Sequence, residues 1–162
     1  MQWMMNRTVF LMETHMSASH PIDAGLTHVA LVVGHLDRSR EFYETFAGLQ
    51  LVHVRPNAGP ISRVAWMADP RSGFTIVLVE STTFQDTPLG PFGHIGMACA
   101  SREEVDRLAD IARTQNILRS PPTDSPHPVG YWAYISDPDG NTLELSHGQQ
   151  IRFAAMNPAP AP

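Results

Sequence analysis

The sequence predicts an α+β fold made of two tandem βαβββ modules, whose strands form a concave mixed sheet with the helices on its outside. Two observations lead to this fold class. A run typical of a strand and then a run typical of a helix occur twice along the chain, and each copy ends in an Asp-Pro turn that leads into another strand. Each half of the chain is therefore expected to form one module.

The first part of the repeat pairs LTHVALVVGHLDRSREFYETFAGL, from Leu26, with FGHIGMACASREEVDRLADIARTQ, from Phe92. Each segment has a His near the start of an apolar run, then a polar helix start and apolar residues at helical spacing. In the second copy, Ser101 and Glu104 have the spacing of a capping box. Both copies predict a strand followed by an amphipathic helix.

The second part of the repeat pairs ADPRSGFTIVLVES, from Ala68, with SDPDGNTLELS, from Ser136. Pro presets its backbone angle φ and Gly accepts positive φ, so both segments predict a tight turn before a strand. The preceding segments, ISRVAWMA and GYWAYIS, are rich in β-branched and aromatic residues, as strands are. About three strands therefore complete each module.

The 162 residues are enough for one domain. We expect the folded part to cover residues 21–153, with module one at about 24–82 and module two at about 90–150. The leader, residues 1–20, and the Pro- and Ala-rich tail, residues 154–162, are expected to be disordered.

Composition excludes several functional classes. The formal net charge is -5 with only 11 basic residues, which argues against a nucleic-acid surface. No apolar run has the roughly 20 residues that span a bilayer. The single Cys99 cannot form an internal disulfide and lies in an apolar run, as expected of a buried, reduced thiol. We therefore expect a cytoplasmic protein that binds neither nucleic acid nor membranes.

The segments LTHVALVV, FGHIGMACA and DPDGNTLEL, in that order, resemble the vicinal oxygen chelate superfamily of glyoxalase I, fosfomycin and bleomycin resistance proteins and extradiol dioxygenases. The resemblance covers nearly all of the folded part. It implies one divalent metal ion in the concave sheet, bound from the first strand of each module and the last strand of the second. The matching positions are His28, His94 and Glu144.

Two imidazoles and one carboxylate form a facial triad that holds a divalent ion and leaves positions open for a substrate. Fe(II) is the favoured ion, with Mn, Zn and Ni as alternatives. Because side chains alternate faces along a strand, the small residues Gly96 and Ala98 share the face of His94 and leave room for a ligand. His147 shares the parity of Leu145 and is expected to face away from the metal.

Glu80 is a candidate fourth ligand, because glyoxalase I-like proteins take one from the last strand of the first module. Glu144 follows Gly140 by four residues, whereas Glu80 follows Gly73 by seven and has the opposite parity. We interpret Glu80 as a strand-end or pocket-rim residue, although a β-bulge can reverse its direction. Whether it is a ligand stays open at this point.

The segment HPVGYWAYISDPDGNTLE places His127, Tyr134 and Glu144 in the order of an extradiol dioxygenase motif, although Ser125 and Ala133 depart from the expected residue types. The resemblance implies that His127 is an acid-base residue and that Tyr134 donates a hydrogen bond to the substrate. The alternatives are a solvated loop histidine and a cross-strand aromatic residue.

The leading hypothesis is a metal-dependent, extradiol dioxygenase-like enzyme that acts on a small substrate with vicinal oxygens. One alternative is a glyoxalase I-like lyase or isomerase, or a fosfomycin-resistance-like transferase. Another is a metal-free, bleomycin-resistance-like protein that only binds a ligand. We expect a homodimer, since small modules with concave sheets often complete themselves through a twofold interface. The fold does not identify the substrate.

Overall fold

The structure is a computed structural model that describes residues 26–83, 89–90 and 92–151. The predictions of a disordered leader and of a disordered tail lie outside the described residues. No helix in these described ranges is long and apolar enough to cross a membrane.

The first module contains β1 (His28–Val33), α1 (Leu36–Ala47), β2 (Gln50–Pro56), β3 (Ile61–Ala68) and β4 (Thr75–Ser81). The second module contains β5 (His94–Ala98), α2 (Arg102–Thr114), β6 (Leu118–Ser125), β7 (Gly130–Ser136) and β8 (Thr142–His147). The order is βαβββ in both halves, so the predicted repeat and the α+β fold class are confirmed.

Each module has its own four-stranded mixed sheet, with the strand orders β1-β4-β3-β2 and β5-β8-β7-β6. The first and last strands of each module are parallel, and the remaining neighbours are antiparallel. The chain alone therefore presents two separate sheets rather than one continuous concave sheet. The predicted metal ligands are therefore divided between the sheets, with His28 on the first and His94 and Glu144 on the second.

The helices pack with their apolar sides on the sheets. The buried apolar residues of α1 are Leu36, Phe42, Tyr43 and Phe46, and those of α2 are Val105, Leu108, Ala109 and Ala112. The side chain of Ser101 accepts a hydrogen bond from the Glu104 backbone N–H, which confirms the predicted helix cap. Gly48 adopts φ 63° and ends α1, a conformation that favours glycine.

Strand register divides each sheet into a face that packs under its helix and an opposite face, which we call the open face. In β1, Leu31 and Val33 are buried on the helix side, whereas His28 and Ala30 on the open face are exposed. In β5, His94, Gly96 and Ala98 are exposed on the open face of the second sheet. The two-residue period of a strand explains this division.

The two modules are joined on the helix side. In the β7–β8 turn, the Asp139 carboxylate accepts hydrogen bonds from the Gly34 backbone N–H at 2.9 Å and from the Ser39 hydroxyl at 2.8 Å. The Tyr43 hydroxyl donates to Asp137 at 2.9 Å. Buried apolar residues of both modules form one core cluster. In the described part of the chain, His28, Ala30, His94, Gly96 and Ala98 stay exposed on the open faces.

Candidate metal centre

His94 and Glu144 meet on the open face of the second sheet. The parallel pairing of β5 with β8 sets Gly96 opposite Glu144, and His94 lies one two-residue step before Gly96 on the same face. As a result His94 Nε2 lies 3.3 Å from Glu144 Oε2. The Glu144 side chain is 6% exposed and the His94 side chain 34% exposed, so the pair opens toward solvent from the imidazole side.

The hydrogen bond at Nδ1 of the His94 ring determines the protonation of Nε2, which faces Glu144. His94 Nδ1 lies 2.9 Å from the Phe92 carbonyl oxygen. A carbonyl only accepts, so Nδ1 carries the proton, and in the neutral ring Nε2 presents a lone pair to the Glu144 carboxylate. Two acceptors that face each other suit a cation bound between them, and metal-bound imidazoles typically make such an Nδ1 contact. The donor set therefore fits a divalent metal ion.

The surroundings of Glu144 fix its carboxylate and leave space above it. The Gln149 side-chain amide donates to Glu144 Oε1 at 2.9 Å, which leaves Oε2 directed at His94. A Cβ atom at Gly96 would lie 3.6 Å from Oε2, so a longer side chain there would cover the carboxylate. Gln149 was not singled out in the sequence, because its position after β8 carries no pattern that points to the site.

His28 occupies the equivalent place on the first sheet. It pairs with Thr75 in β4 as His94 pairs with Thr142 in β8. Its ring is exposed, and Nδ1 lies 3.0 Å from the Thr27 hydroxyl. No three His, Cys, Asp or Glu side chains are grouped suitably for a metal ion within the described part of the chain. One chain thus brings together two of the three predicted ligands, and not His28.

The model of the Glyoxalase/Bleomycin resistance protein/Dioxygenase superfamily matches residues 25–145. The chain belongs to this superfamily. An uncharacterised protein of Pseudomonas aeruginosa is 40% identical to it over 128 residues, 78% of this chain and 90% of the relative. A lactoylglutathione lyase of Arabidopsis thaliana is 31% identical over 124 residues, 73% of this chain and 42% of the relative.

The fold is also similar to that of FosX from Listeria monocytogenes, a fosfomycin resistance protein. The crystal structure of a FosX variant complexed with Mn(II) and dihydroxypropylphosphonic acid has a TM-score of 0.61 and 19% identity, and the match covers 79% of this chain and 95% of that one. This likeness concerns the fold alone. The proteins that resemble this chain in sequence or fold thus include both a lactoylglutathione lyase and a fosfomycin resistance protein.

Glu80, the candidate fourth ligand by comparison with glyoxalase I-like superfamily members, points away from the open face. Its carboxylate accepts from the Leu36 backbone N–H at 2.8 Å, from the Ser62 hydroxyl at 2.7 Å and from Arg63 at 2.7 and 2.8 Å. The hydrogen bonds from Arg63 outweigh the effect of burial and lower the pKa of Glu80 to about 2. Glu80 therefore holds the start of α1 in place.

The residue of β4 that corresponds to Glu144 is Val77. Val77 pairs with Ala30 of β1, as Glu144 pairs with Gly96 of β5. The structure thus agrees with the parity argument from the repeat, and the open face of β4 carries an apolar residue where β8 carries the carboxylate.

Tyr134 lies beside the histidine–carboxylate pair. It pairs with Glu144 across β7 and β8, and its ring centroid lies 5.4 Å from that of His94. Burial, with a smaller contribution from the Glu144 charge, raises the pKa of Tyr134 above its ordinary value. The hydroxyl therefore stays protonated at neutral pH and can donate a hydrogen bond to a bound molecule. Trp132 continues this aromatic row at 4.6 Å from Tyr134.

His127, the candidate acid-base residue, lies in the exposed turn between β6 and β7. Within the described ranges it makes no hydrogen bond or ion pair, and no contact joins it to His94 or Glu144. His147 lies on the helix side, with Nδ1 3.1 Å from the Cys99 carbonyl oxygen, as its parity with Leu145 predicts.

Tyr131 also lies on the helix side and not in the site. Its hydroxyl donates to Asp106 of α2 at 2.6 Å, and the Arg102 guanidinium lies over its ring at 4.8 Å. Tyr131 and Tyr134 are three residues apart, so the period-two rule alone places them on opposite faces. This was the signal in the sequence that distinguishes them.

Proposed function

We propose that this protein is a divalent-metal-dependent enzyme of the superfamily that acts on a small substrate through vicinal oxygens, with lyase or isomerase chemistry. The main support for this proposal is the 3.3 Å distance between His94 Nε2 and Glu144 Oε2. The Phe92 carbonyl oxygen accepts from Nδ1 and so keeps the ring proton on that nitrogen. A protein that only sequesters a ligand has no need for two metal-type donors in this arrangement.

The third ligand in this proposal is His28 of a second copy of the chain. Both open faces carry exposed residues within the described ranges, so a twofold dimer can set the first sheet of one copy against the second sheet of the other. Large apolar residues beside these faces are strongly exposed, with Leu26 before β1 at 97% and Phe92 before β5 at 88%. Burial of these side chains in an interface would favour the dimer.

The chain's own residues suit this chemistry. A bound divalent ion would act as a Lewis acid that polarises a substrate oxygen. His94 and Glu144 would hold the ion, and Gln149 would orient the carboxylate through its hydrogen bond. Tyr134 would donate a hydrogen bond from its protonated hydroxyl to a substrate oxygen. The small residue Gly96 leaves the space in which that substrate would lie.

Lyase or isomerase chemistry is favoured over ring cleavage for two reasons. The curated relative with a named activity at 31% identity is a lactoylglutathione lyase. His127, which the dioxygenase hypothesis needs as an acid-base residue, lies in an exposed turn without a contact to the pair. An extradiol dioxygenase stays the second candidate, because Tyr134 lies beside His94 and Glu144 as that hypothesis requires.

Elemental analysis of protein purified without a metal-affinity tag tests the proposal. We expect about one transition-metal ion per site in the wild type, loss of the ion in His94→Ala and Glu144→Gln, and retention in the control His127→Ala. Zn, Ni or Mn would support lyase or isomerase chemistry, whereas Fe(II) with oxygen uptake on catechols would support the dioxygenase. A wild type that binds none of these ions after anaerobic reconstitution would contradict both.

A further inference from the structure

Three side chains form a cluster on the open face of the first sheet, away from the histidine–carboxylate pair. Trp66 of β3 has its ring centroid 5.5 Å from that of His53, and the Arg55 guanidinium carbon lies 5.5 Å from the Trp66 ring centroid. Trp66 pairs with Val77, and Val77 pairs with Ala30, which shares the face of His28. The cluster and the candidate ligand His28 therefore lie on one surface.

The repeat gives Trp66 a counterpart in the second module. Trp66 pairs with Val77 as Tyr134 pairs with Glu144, so the two aromatic residues occupy equivalent positions. Trp66 lies on β3 and Tyr134 on β7, and each of these strands is two positions from the strand that carries the histidine, β1 or β5. In the proposed dimer, both walls of the cavity would then carry an aromatic ring near the metal.

Arg55 is an exposed cation without a carboxylate partner among the described residues. Five other arginines form ion pairs with carboxylates, namely Arg40, Arg63, Arg102, Arg107 and Arg113. Arg55 has no ion pair or hydrogen bond within the described residues, and its one contact of note is with the Trp66 ring. The protein as a whole is acidic, with a formal net charge of -5.

A guanidinium that stacks on an indole keeps its edge N–H donors free. Those donors match the two oxygens of a carboxylate, while the aromatic face beside them suits a flat apolar group. The His53 ring, whose centroid lies 5.5 Å from that of Trp66 at an interplanar angle of 38°, adds a second aromatic surface. An anion with a planar body is the ligand that satisfies all three side chains.

We propose that Arg55, Trp66 and His53 form a recognition site for a small planar carboxylate, aromatic or conjugated. Insofar as this carboxylate belongs to the substrate of the metal centre, the inference rests on the proposed function. A purely structural explanation is that Arg55 protects the exposed edge strand β2 from pairing with other chains. Edge protection requires a charge but no ligand, so a binding experiment distinguishes it from the proposed recognition site.

Titration with benzoate tests the site directly, with the neutral isostere benzamide as the matched probe. Binding to the full-length chain is followed through the indole N–H signal of Trp66 in NMR spectra, assigned with Trp66→Phe. We expect saturable benzoate binding that Arg55→Ala weakens about tenfold or more, because a charged hydrogen-bonded pair is lost. Arg38→Ala, which removes an exposed arginine of α1 outside the open face, should leave it unchanged.

Two results would overturn the inference. One is benzoate binding that is equal in the wild type and in Arg55→Ala, or equal to that of benzamide, and the other is no saturable binding of benzoate to the wild type. The variant His94→Ala distinguishes a failure of the carboxylate site from a failure of the proposed metal centre. It should lose the metal ion and keep benzoate binding, whereas Arg55→Ala should lose benzoate binding and keep the wild-type metal content.

Discussion

Val77 and Glu144 occupy equivalent positions in the two modules, yet only Glu144 supplies a carboxylate to an open face. Val77 pairs with Ala30, and Glu144 pairs with Gly96 and approaches His94 to 3.3 Å. The two sheets therefore have the same geometry and different chemistry. The second sheet carries two metal-type donors, while the first carries one, His28, and has the Arg55 cluster on the same face.

Gln149→Ala is expected to weaken metal binding roughly 10- to 100-fold, because Gln149 donates to Glu144 Oε1 and such outer partners orient metal ligands. The dissociation constant is measured by competition with a chromophoric chelator. Gln150→Ala is the matched control, since the neighbouring side chain is exposed and makes no contact with Glu144. Equal affinities for the two variants would show that Gln149 does not position the carboxylate.

Glu80→Gln is expected to lower the free energy of unfolding by about 1–3 kcal/mol, because it breaks a charged, hydrogen-bonded pair between the buried Glu80 and the partly exposed Arg63. Urea denaturation at neutral pH measures the effect. Glu44→Gln is the control, since Glu44 forms an exposed pair with Arg40 on α1 and should change stability by no more than about 0.5 kcal/mol. Glu80→Gln should also keep the full metal content, and its loss would make Glu80 a ligand after all.

The stabilisation from Glu80 should depend on pH in a defined direction. Its pKa is about 2 in the folded protein against an ordinary value of 4.5, so the folded state binds fewer protons than the unfolded state between these values. Stability from this group is then complete above about pH 4.5 and is lost as the pH falls toward 2. The difference between wild type and Glu80→Gln should shrink over that range in urea titrations. A constant difference from pH 6 to pH 3 would contradict this.

Asp139→Asn is expected to destabilise the contact between the modules by about 1–2 kcal/mol, because its carboxylate accepts from both Gly34 and Ser39 across the module boundary. The effect is measured by urea denaturation. The control Asp124→Asn removes an exposed carboxylate that pairs with Arg102 within one module. If both variants are equally stable, the β7–β8 turn does not hold the modules together.

Much of the fold was predictable from the sequence, because strand periodicity and the internal repeat can both be read directly along the chain. The period of two along strands assigned Glu144 and His94 to one face and Glu80 to the other, and the internal repeat defined which positions correspond. The Ser101 cap follows from a spacing of three residues. The two-residue period of a strand would also have placed Tyr131 on the helix side.

The parts that could not be predicted depend on contacts between distant segments. Asp139 docks on α1 although about 100 residues separate it from Ser39, and no local pattern records that contact. The strands of the two modules also form separate sheets, so His28 and His94 lie on different sheets within a chain. Likewise, the stacking of Arg55 on Trp66 depends on the register of β2 against β3, which contains a bulge.

The most direct test of the shared metal site uses a mixed dimer of His28→Ala and His94→Ala. The two variants are co-expressed with different peptide tags that bind no metal, and the dimer that carries both tags is purified. One of its two sites has His28 from the His94→Ala copy and the intact His94–Glu144 pair from the His28→Ala copy. We predict about one metal ion per mixed dimer and none in either variant alone, because the site is built across the twofold interface. A mixed dimer without metal, or a wild type that stays monomeric while it binds metal, would contradict the account.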